Sequence, residues 1–292
     1  MKKYDELIYP ADIGTWTSYW SICNEEQLNL QAKHLLDTGL SNGNVSNVSF
    51  IFTKYMKQLH DYIVNNLEKI SSSYAKDVRA KEAFYSARIE GAKGSLEEAI
   101  EIGNGKETKV PYKSSKMIEN CYLVADFSDV EQTTMTPAFL VERWESIVDG
   151  VCDNQSIRGT MFRSGDVRVG AHIPPYYTNV PALMITLCDF INSPQYDEFP
   201  FIKAALIHYV FESIHPFCDG NGRTGRWLIY WYLASRGMKA YNIVSFSEFI
   251  DKTRSIYYMK LNEAINEYND CTAIIEYLLS VFADAYDKIK ER

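Results

Sequence analysis

The sequence predicts a mainly α-helical fold built around two antiparallel helices joined by a short loop. Three observations carry this. Apolar residues recur at helical spacing in most segments of the 292-residue chain. Start and stop residues bound those segments, as Pro200 and Gly237 bound the central pair. Only one stretch, residues 159–181, changes to a strand-and-turn pattern.

In chain order, residues 1–22 are aromatic and irregular, with Tyr4, Tyr9, Trp16, Tyr19 and Trp20 suited to lie across a surface. A helix is expected over 24–36, a loop rich in Gly, Asn and Ser over 39–47, and a long helix over 49–70, apolar at Ile51, Tyr55, Leu59, Tyr62 and Ile63. Residues 84–90 read as the end of a helix that Gly91 can stop or bend. A short acidic helix over 95–102 and a polar loop over 103–113 lead to a helix over 114–127, with Ile118, Tyr122 and Leu123 inward. Thr136 before Pro137 supplies an N-cap and a first-turn proline for a helix running to Gly150. Residues 161–163 and 167–170 read as two strands around a turn at Ser164 and Gly165. Helices over 179–191 and 201–214 lead into the central loop, and a helix over 223–235 leaves it. Ser245 with Glu248 offers a capping box for a helix through Asn266, and 272–290 forms a final amphipathic helix.

Composition narrows the function. Apolar content of 46% suffices for a buried core, and no repeat or proline-rich linker divides the chain. A net charge of -8 without a basic stripe argues against nucleic acid as a partner. The six cysteines, at 23, 121, 152, 188, 218 and 271, lack paired spacing and read as reduced thiols of a cytoplasmic chain. Residues 1–6, Met-Lys-Lys-Tyr-Asp-Glu, reach acidic groups before any apolar run, unlike a signal peptide. No apolar run approaches 18 residues, so no membrane contact is expected.

The loop itself, residues 215–226, reads His-Pro-Phe-Cys-Asp-Gly-Asn-Gly-Arg-Thr-Gly-Arg. Gly220 and Gly222 permit positive φ and close backbone approach, so N-H groups at the following helix start can form a nest for phosphate. Arg223 and Arg226, three apart, can bring two guanidinium forks to that anion. Asp219 offers a hard oxygen beside the nest, as suits Mg²⁺ held through a carboxylate and the substrate's own phosphates. His215 is the titratable group, able near neutral pH to take a proton from an attacking hydroxyl. A lone histidine at a helix end is commonly structural, and Gly-Asn-Gly alone is an ordinary turn. Eight residue types at fixed spacing, however, match by chance below about 10⁻⁸ per position. Cys218 has no second Cys or His at zinc spacing and reads as loop packing.

The spacing resembles the signature of the Fic family, His-x-Phe-x-(Asp/Glu)-Gly-Asn-Gly-Arg-x-x-Arg, at every specified position. The resemblance implies a Fic-type helical core with a β-hairpin flap and an N-terminal helical extension. It also implies a protein adenylyltransferase that moves AMP from ATP to a Ser, Thr or Tyr hydroxyl of a target protein or of itself and releases pyrophosphate. His215 then resembles the general base, Phe217 a core anchor and Asp219 the Mg²⁺ ligand. Gly220, Asn221 and Gly222 resemble the phosphate cradle, and Arg223 and Arg226 the partners of the β- and γ-phosphates.

Two further stretches extend the likeness. Ser86, Glu90 and Gly91, in Ser-x-x-x-Glu-Gly, resemble the inhibitory motif of the subclass with an N-terminal inhibitory helix, where Glu90 would pair with Arg226 and displace the γ-phosphate. The Gly-x-x-Phe-Arg and Val-Gly-x-His-Ile-Pro-Pro patterns resemble the flap, with Val167, Arg168 and Val169 offering main-chain groups to a target segment. By position in the family, Tyr257, Tyr258 and Asn262 would wall an adenine pocket, while His172 and His208 read as structural. The implied division is a helical region at 1–110 holding the motif at 86–91 and a Fic-type core at 111–292. A γ-phosphate kinase, transfer from another nucleotide-linked donor, removal of AMP, and nucleotide sensing without turnover are the rival readings. Intact Gly-Asn-Gly counts against the first and intact His215 against the last.

Overall fold

The computed structural model describes residues 50, 52–67, 75–127, 130, 133–152, 161–170, 172–266 and 270–290. The segments expected over 1–22, 24–36 and 39–47 lie outside them, as do Cys23 and Ile51. Eleven α-helices appear among the described residues: α1 Lys54–Leu67, α2 Ala75–Ile89, α3 Leu96–Gly103, α4 Tyr112–Val124, α5 Pro137–Val148, α6 Val180–Asn192, α7 Pro200–Ile214, α8 Asn221–Ser235, α9 Phe246–Lys252, α10 Arg254–Asn266 and α11 Thr272–Lys290. Short 3-10 turns at Tyr177–Asn179 and Lys239–Asn242 complete the list.

The centre is the α7/α8 hairpin. Every residue of α7 is buried, so this helix has no solvent face and is packed on all sides. Pro200 fills its first turn, where a missing N-H costs nothing. α6 and α11 flank α7, α5 lies against α8, and α1 packs on α11, so α1 belongs to the main apolar core through Met56, Leu59 and Ile63. A smaller apolar cluster joins Phe84 and Ala87 of α2, Ala99 and Ile102 of α3, and Met117, Ile118 and Cys121 of α4. α2 thus sits between this cluster, α9 and the start of α8.

Most helix ends follow their sequence signals. Thr136 Oγ1 accepts from Phe139 N at the start of α5, Ser95 and Glu98 form a full capping box on α3, and Gly91, at φ 90°, follows the end of α2. Three expectations are corrected. Leu123 is exposed, because Ile118 and Cys121 already define the inner face of α4. The helix expected from Ser245 to Asn266 breaks at Thr253 into α9 and α10. Ser245 makes no cap of its own: Glu82 of α2 accepts from Ser247 N instead, at 2.9 Å.

The expected hairpin is not confirmed. Among the described residues no strand forms, and pairing is limited to a bridge between Val169 and His172. Phe162 and Arg163 are drawn inward instead. Phe162 packs on Phe217, and Arg163 N donates to Pro216 O at 2.9 Å, which leaves 161–163 nothing with which to pair 167–170.

Candidate active site

The loop between α7 and α8 is held from every side. His215 ends α7 at φ 49°, a left-handed conformation that costs a side-chain-bearing residue free energy and needs outside support. Arg163 gives that support. It is buried, and its guanidinium donates to His215 O and Gly165 O, each at 2.9 Å, and to Pro175 O. Phe217 stacks on Trp144 at 4.3 Å, and Trp144 Nε1 donates to Asp219 O at 2.8 Å. Asn221 closes the loop on itself: its Oδ1 accepts from Phe217 N at 2.9 Å and its Nδ2 donates to Phe217 O at 2.7 Å. Gly220 caps α8 at φ 80°, where a Cβ would lie 2.5 Å from Val148.

A cavity of about 370 Å³ opens beside the loop and is lined by His215, Gly222, Arg226, Glu90, Tyr257 and Tyr258, among others. Arg226 is its positive wall. Nε of Arg226 donates to Ser86 Oγ at 3.0 Å, and Nη2 donates to Ser86 O at 2.9 Å and to Glu90 Oε1 at 2.8 Å. Burial alone would raise the Glu90 carboxyl, yet the Arg226 guanidinium holds it below the ordinary carboxylate value. The same partner keeps the buried Arg226 firmly protonated against the opposing effect of its own burial. The Glu90 carboxylate lies directly over Gly222, whose absent Cβ would stand 2.3 Å from Glu90 Oε1. Behind Gly222 the first N-H groups of α8 have no acceptor within the helix. A negative group therefore occupies a seat made of a glycine, a helix start and a buried guanidinium.

His215 shares this cavity and is neutral near pH 7, since burial and the neighbouring His172 push its pKa down to about 4. A neutral imidazole is the form that accepts a proton. His172 is itself buried, with Nε2 2.9 Å from Ser213 O, and burial lowers its pKa. His208 lies deeper, with Nε2 2.9 Å from Tyr257 OH. His172 lines the cavity beside His215, and His208 does not. Tyr257 is buried behind the cavity, while Tyr258 is 40% exposed and Asn262 completes that wall.

The structure thus brings together Glu90, His215, Gly222, Arg226, Val169, Tyr257, Tyr258 and Asn262, with Ser86 just behind Arg226. Others it places elsewhere. Asn221 is turned into the loop. Arg223 does not line the cavity: it is buried against Asp219 Oδ1, at 3.2 Å, and Ile147 O, at 3.3 Å. The Asp219 side chain is 47% exposed at the loop edge, with Gly220 N also donating to Oδ1. Cys218 is exposed rather than packed. Arg168 is exposed and bonds Gly170 O, and Val167 is half-buried outside the cavity. Two residues went unread in the sequence. Glu212 lines the cavity beside His215, and Glu82 anchors the helix that carries Ser86. Neither is marked by local spacing, because the partners of each lie on other helices.

Comparison with known proteins agrees with this geometry. A model described as the Fic/DOC family matches residues 138–233, from α5 through most of α8. Over 74 residues the chain is 45% identical to the protein adenylyltransferase Fic of Drosophila willistoni, and likewise to that of Aedes aegypti; the aligned part is 25% of this chain and 15% of either relative. The chain therefore spans only a small part of the length of these curated relatives. A crystal structure of a Fic family protein from Desulfovibrio desulfuricans G20 superposes with a TM-score of 0.72 at 23% identity, over 83% of this chain and 76% of that one, which shows a shared fold. With the loop signature inside the matched segment, residues 138–233 form a Fic/DOC-family segment, and the helices around it share the arrangement of that solved structure.

Proposed function

We propose that this protein transfers AMP from ATP to a Ser, Thr or Tyr hydroxyl of a target protein or of itself, and that Glu90 restrains the reaction. One observation carries the reading. The Glu90 carboxylate fills a seat, formed by Gly222, the start of α8 and Arg226, whose chemistry suits a phosphate. The adenylyltransferase names of the relatives support AMP as the transferred group.

With Glu90 withdrawn, a phosphate takes its place on Arg226 and Gly222. His215, neutral at rest, accepts the hydroxyl proton on Nε2. The hydroxyl oxygen bonds to the α-phosphorus as the bond from that phosphorus to the bridging oxygen of the β-phosphate breaks, and pyrophosphate leaves with the electron pair. Tyr258 and Asn262 offer a stacking face and an amide to the base. Val169, 37% exposed at the cavity rim with its N-H and C=O paired to His172, offers a side chain to a target segment. Arg223, bonded to Asp219 Oδ1, adds its charge at the seat that Glu90 fills.

Asp219 is the residue that would hold Mg²⁺. Its carboxylate, 47% exposed at the loop edge, fits a cation whose remaining ligands are water and substrate phosphates. Such an ion neutralises phosphate charge.

The test uses ATP labelled separately at the α- and γ-phosphates, with wild type, Glu90→Gly, and Glu90→Gly/His215→Ala, alone and with a cell lysate. Expected is α-label on protein that rises in Glu90→Gly by an order of magnitude or more and vanishes in the double variant. Transfer of γ-label alone identifies a kinase. Absence of both labels, with ATP still bound, removes AMP transfer in favour of another donor, the reverse reaction or nucleotide sensing.

A further inference from the structure

Glu212 lies three residues before His215 on α7 and faces the same cavity. Its Oε2 is 4.0 Å from His215 Nδ1, and its buried Oε1 meets no hydrogen-bond donor. A buried carboxyl oxygen without a donor costs stability, so its presence calls for a reason. Gly225 of α8 makes room for it: a Cβ there would stand 2.3 Å from Glu212 Oε1 and 3.1 Å from His208 Nδ1. A glycine inside a helix costs about 1 kcal/mol relative to alanine. The loop signature leaves that position unspecified. In this chain α8 lacks a side chain where Glu212 enters.

We propose that Glu212 is a positioning residue for His215, its carboxylate set against the Nδ1 edge of the ring to offset the positive charge gained when Nε2 takes the hydroxyl proton. The inference rests on the AMP-transfer reading of this site. Nδ1 keeps its own proton, and none passes to Glu212.

The charged and titratable groups facing Glu212 come from four directions: Arg226 from α8, Glu90 from the end of α2, Tyr257 and Tyr258 from α10, and His172 in the lining of the same cavity, with His208 and His215 on its own side. Burial and the like charge of Glu90 push Glu212 up to about 8, against the attraction of Arg226. Withdrawal of Glu90 removes the like charge and leaves Arg226 facing Glu212, both of which favour the carboxylate. Until a phosphate arrives, the event that opens the seat therefore shifts the partner of the base toward its carboxylate form, against the burial that remains.

The experiment compares Glu90→Gly with Glu90→Gly/Glu212→Gln, which removes the charge and keeps the shape. Glu90→Gly/Glu212→Met, apolar and of similar length, covers the case in which the amide fails to fold. Two quantities are read: steady-state AMP transfer, and titration of the His215 ring by NMR in nucleotide-free protein, its resonance identified by loss in His215→Ala. Expected are a kcat lower by roughly 10- to 100-fold at unchanged KM for ATP, and a His215 midpoint lower by about half a unit or more. A kcat and midpoint equal to those of the Glu90→Gly parent overturn the proposal and leave Glu212 a packing residue. If Glu90→Gly itself transfers no AMP, the functional reading fails; the titration still decides here, and a midpoint shared by parent and variant overturns the pairing.

Discussion

Gly222 lacks a side chain where the Glu90 carboxylate lies, and this vacancy makes a direct test of the anion seat. A Cβ at 222 would stand 2.3 Å from Glu90 Oε1 and 3.0 Å from Arg226 Nη1. Gly222→Ala is expected to dislodge Glu90 and, in the Glu90→Gly background, to weaken ATP binding by about tenfold or more, read by calorimetry, because the backbone can no longer approach a phosphate. The Glu90 pairing also has a pH signature. Its folded pKa lies below the unfolded value of 4.5, so its contribution is present above that value and is lost as pH falls through the folded pKa. The melting temperature of wild type is expected to exceed that of Glu90→Gln above pH 4.5, with the gap closing below it. At this scale the sequence was readable where a residue sits in a spaced motif, even when its partner is as distant as Arg226 is from Glu90. Glu90 and His215 qualify. Glu212 does not, since on a helix buried all round no charge spacing marks an inward face, and its companion Gly225 lies on the next helix.

The elements are joined by contacts that local patterns miss. Glu248, expected to cap its own helix, is held by Lys252 at 2.7 Å and Lys288 at 2.5 Å. Glu82 takes its place, accepting from Ser247 N and Oγ, from Ser245 Oγ at 3.2 Å and from Tyr230 OH at 3.2 Å. Glu82, Ser86 and Glu90 share one face of α2 and its end at four-residue intervals, so this anchor holds in place the element that carries Glu90. Glu82→Ala leaves several buried donors unpaired and is expected to cost roughly 3 kcal/mol in denaturant unfolding. It is also expected to raise AMP transfer in wild type while leaving Glu90→Gly no more active; equal activity of wild type and Glu82→Ala would contradict the anchor. Arg163 is the corresponding anchor of the 161–175 segment. A strand pattern was legible there, but the pull of Phe217 and of the carbonyls at 215 and 216 decides the path instead.

Across the whole molecule, the central hairpin and the site it carries were legible because proline, glycine and the loop signature mark them in sequence. The layering of α1 on α11 and of α2 between two clusters was not, because it depends on which apolar faces meet. Burial at the centre also sets the acid response. His208 and His215 both have pKa values lowered to about 4, chiefly by burial, so the unfolded chain binds protons that the folded chain refuses between about pH 6.5 and 4. Stability is therefore expected to fall as pH drops through that window, by up to about 3 kcal/mol for each ring. His208→Gln should show a shallower fall in guanidinium unfolding at pH 4.5 to 6.5; an unchanged slope would assign the acid sensitivity to other groups. On the proposed reading a phosphate and the Glu90 carboxylate compete for one seat. A crystal structure of Glu90→Gly with Mg²⁺ and a non-hydrolysable ATP analogue decides it. The expected result is a phosphate oxygen within hydrogen-bond distance of Gly222 N and of the Arg226 guanidinium; nucleotide bound elsewhere, with Arg226 still on Ser86 and no phosphate beside it, would contradict it.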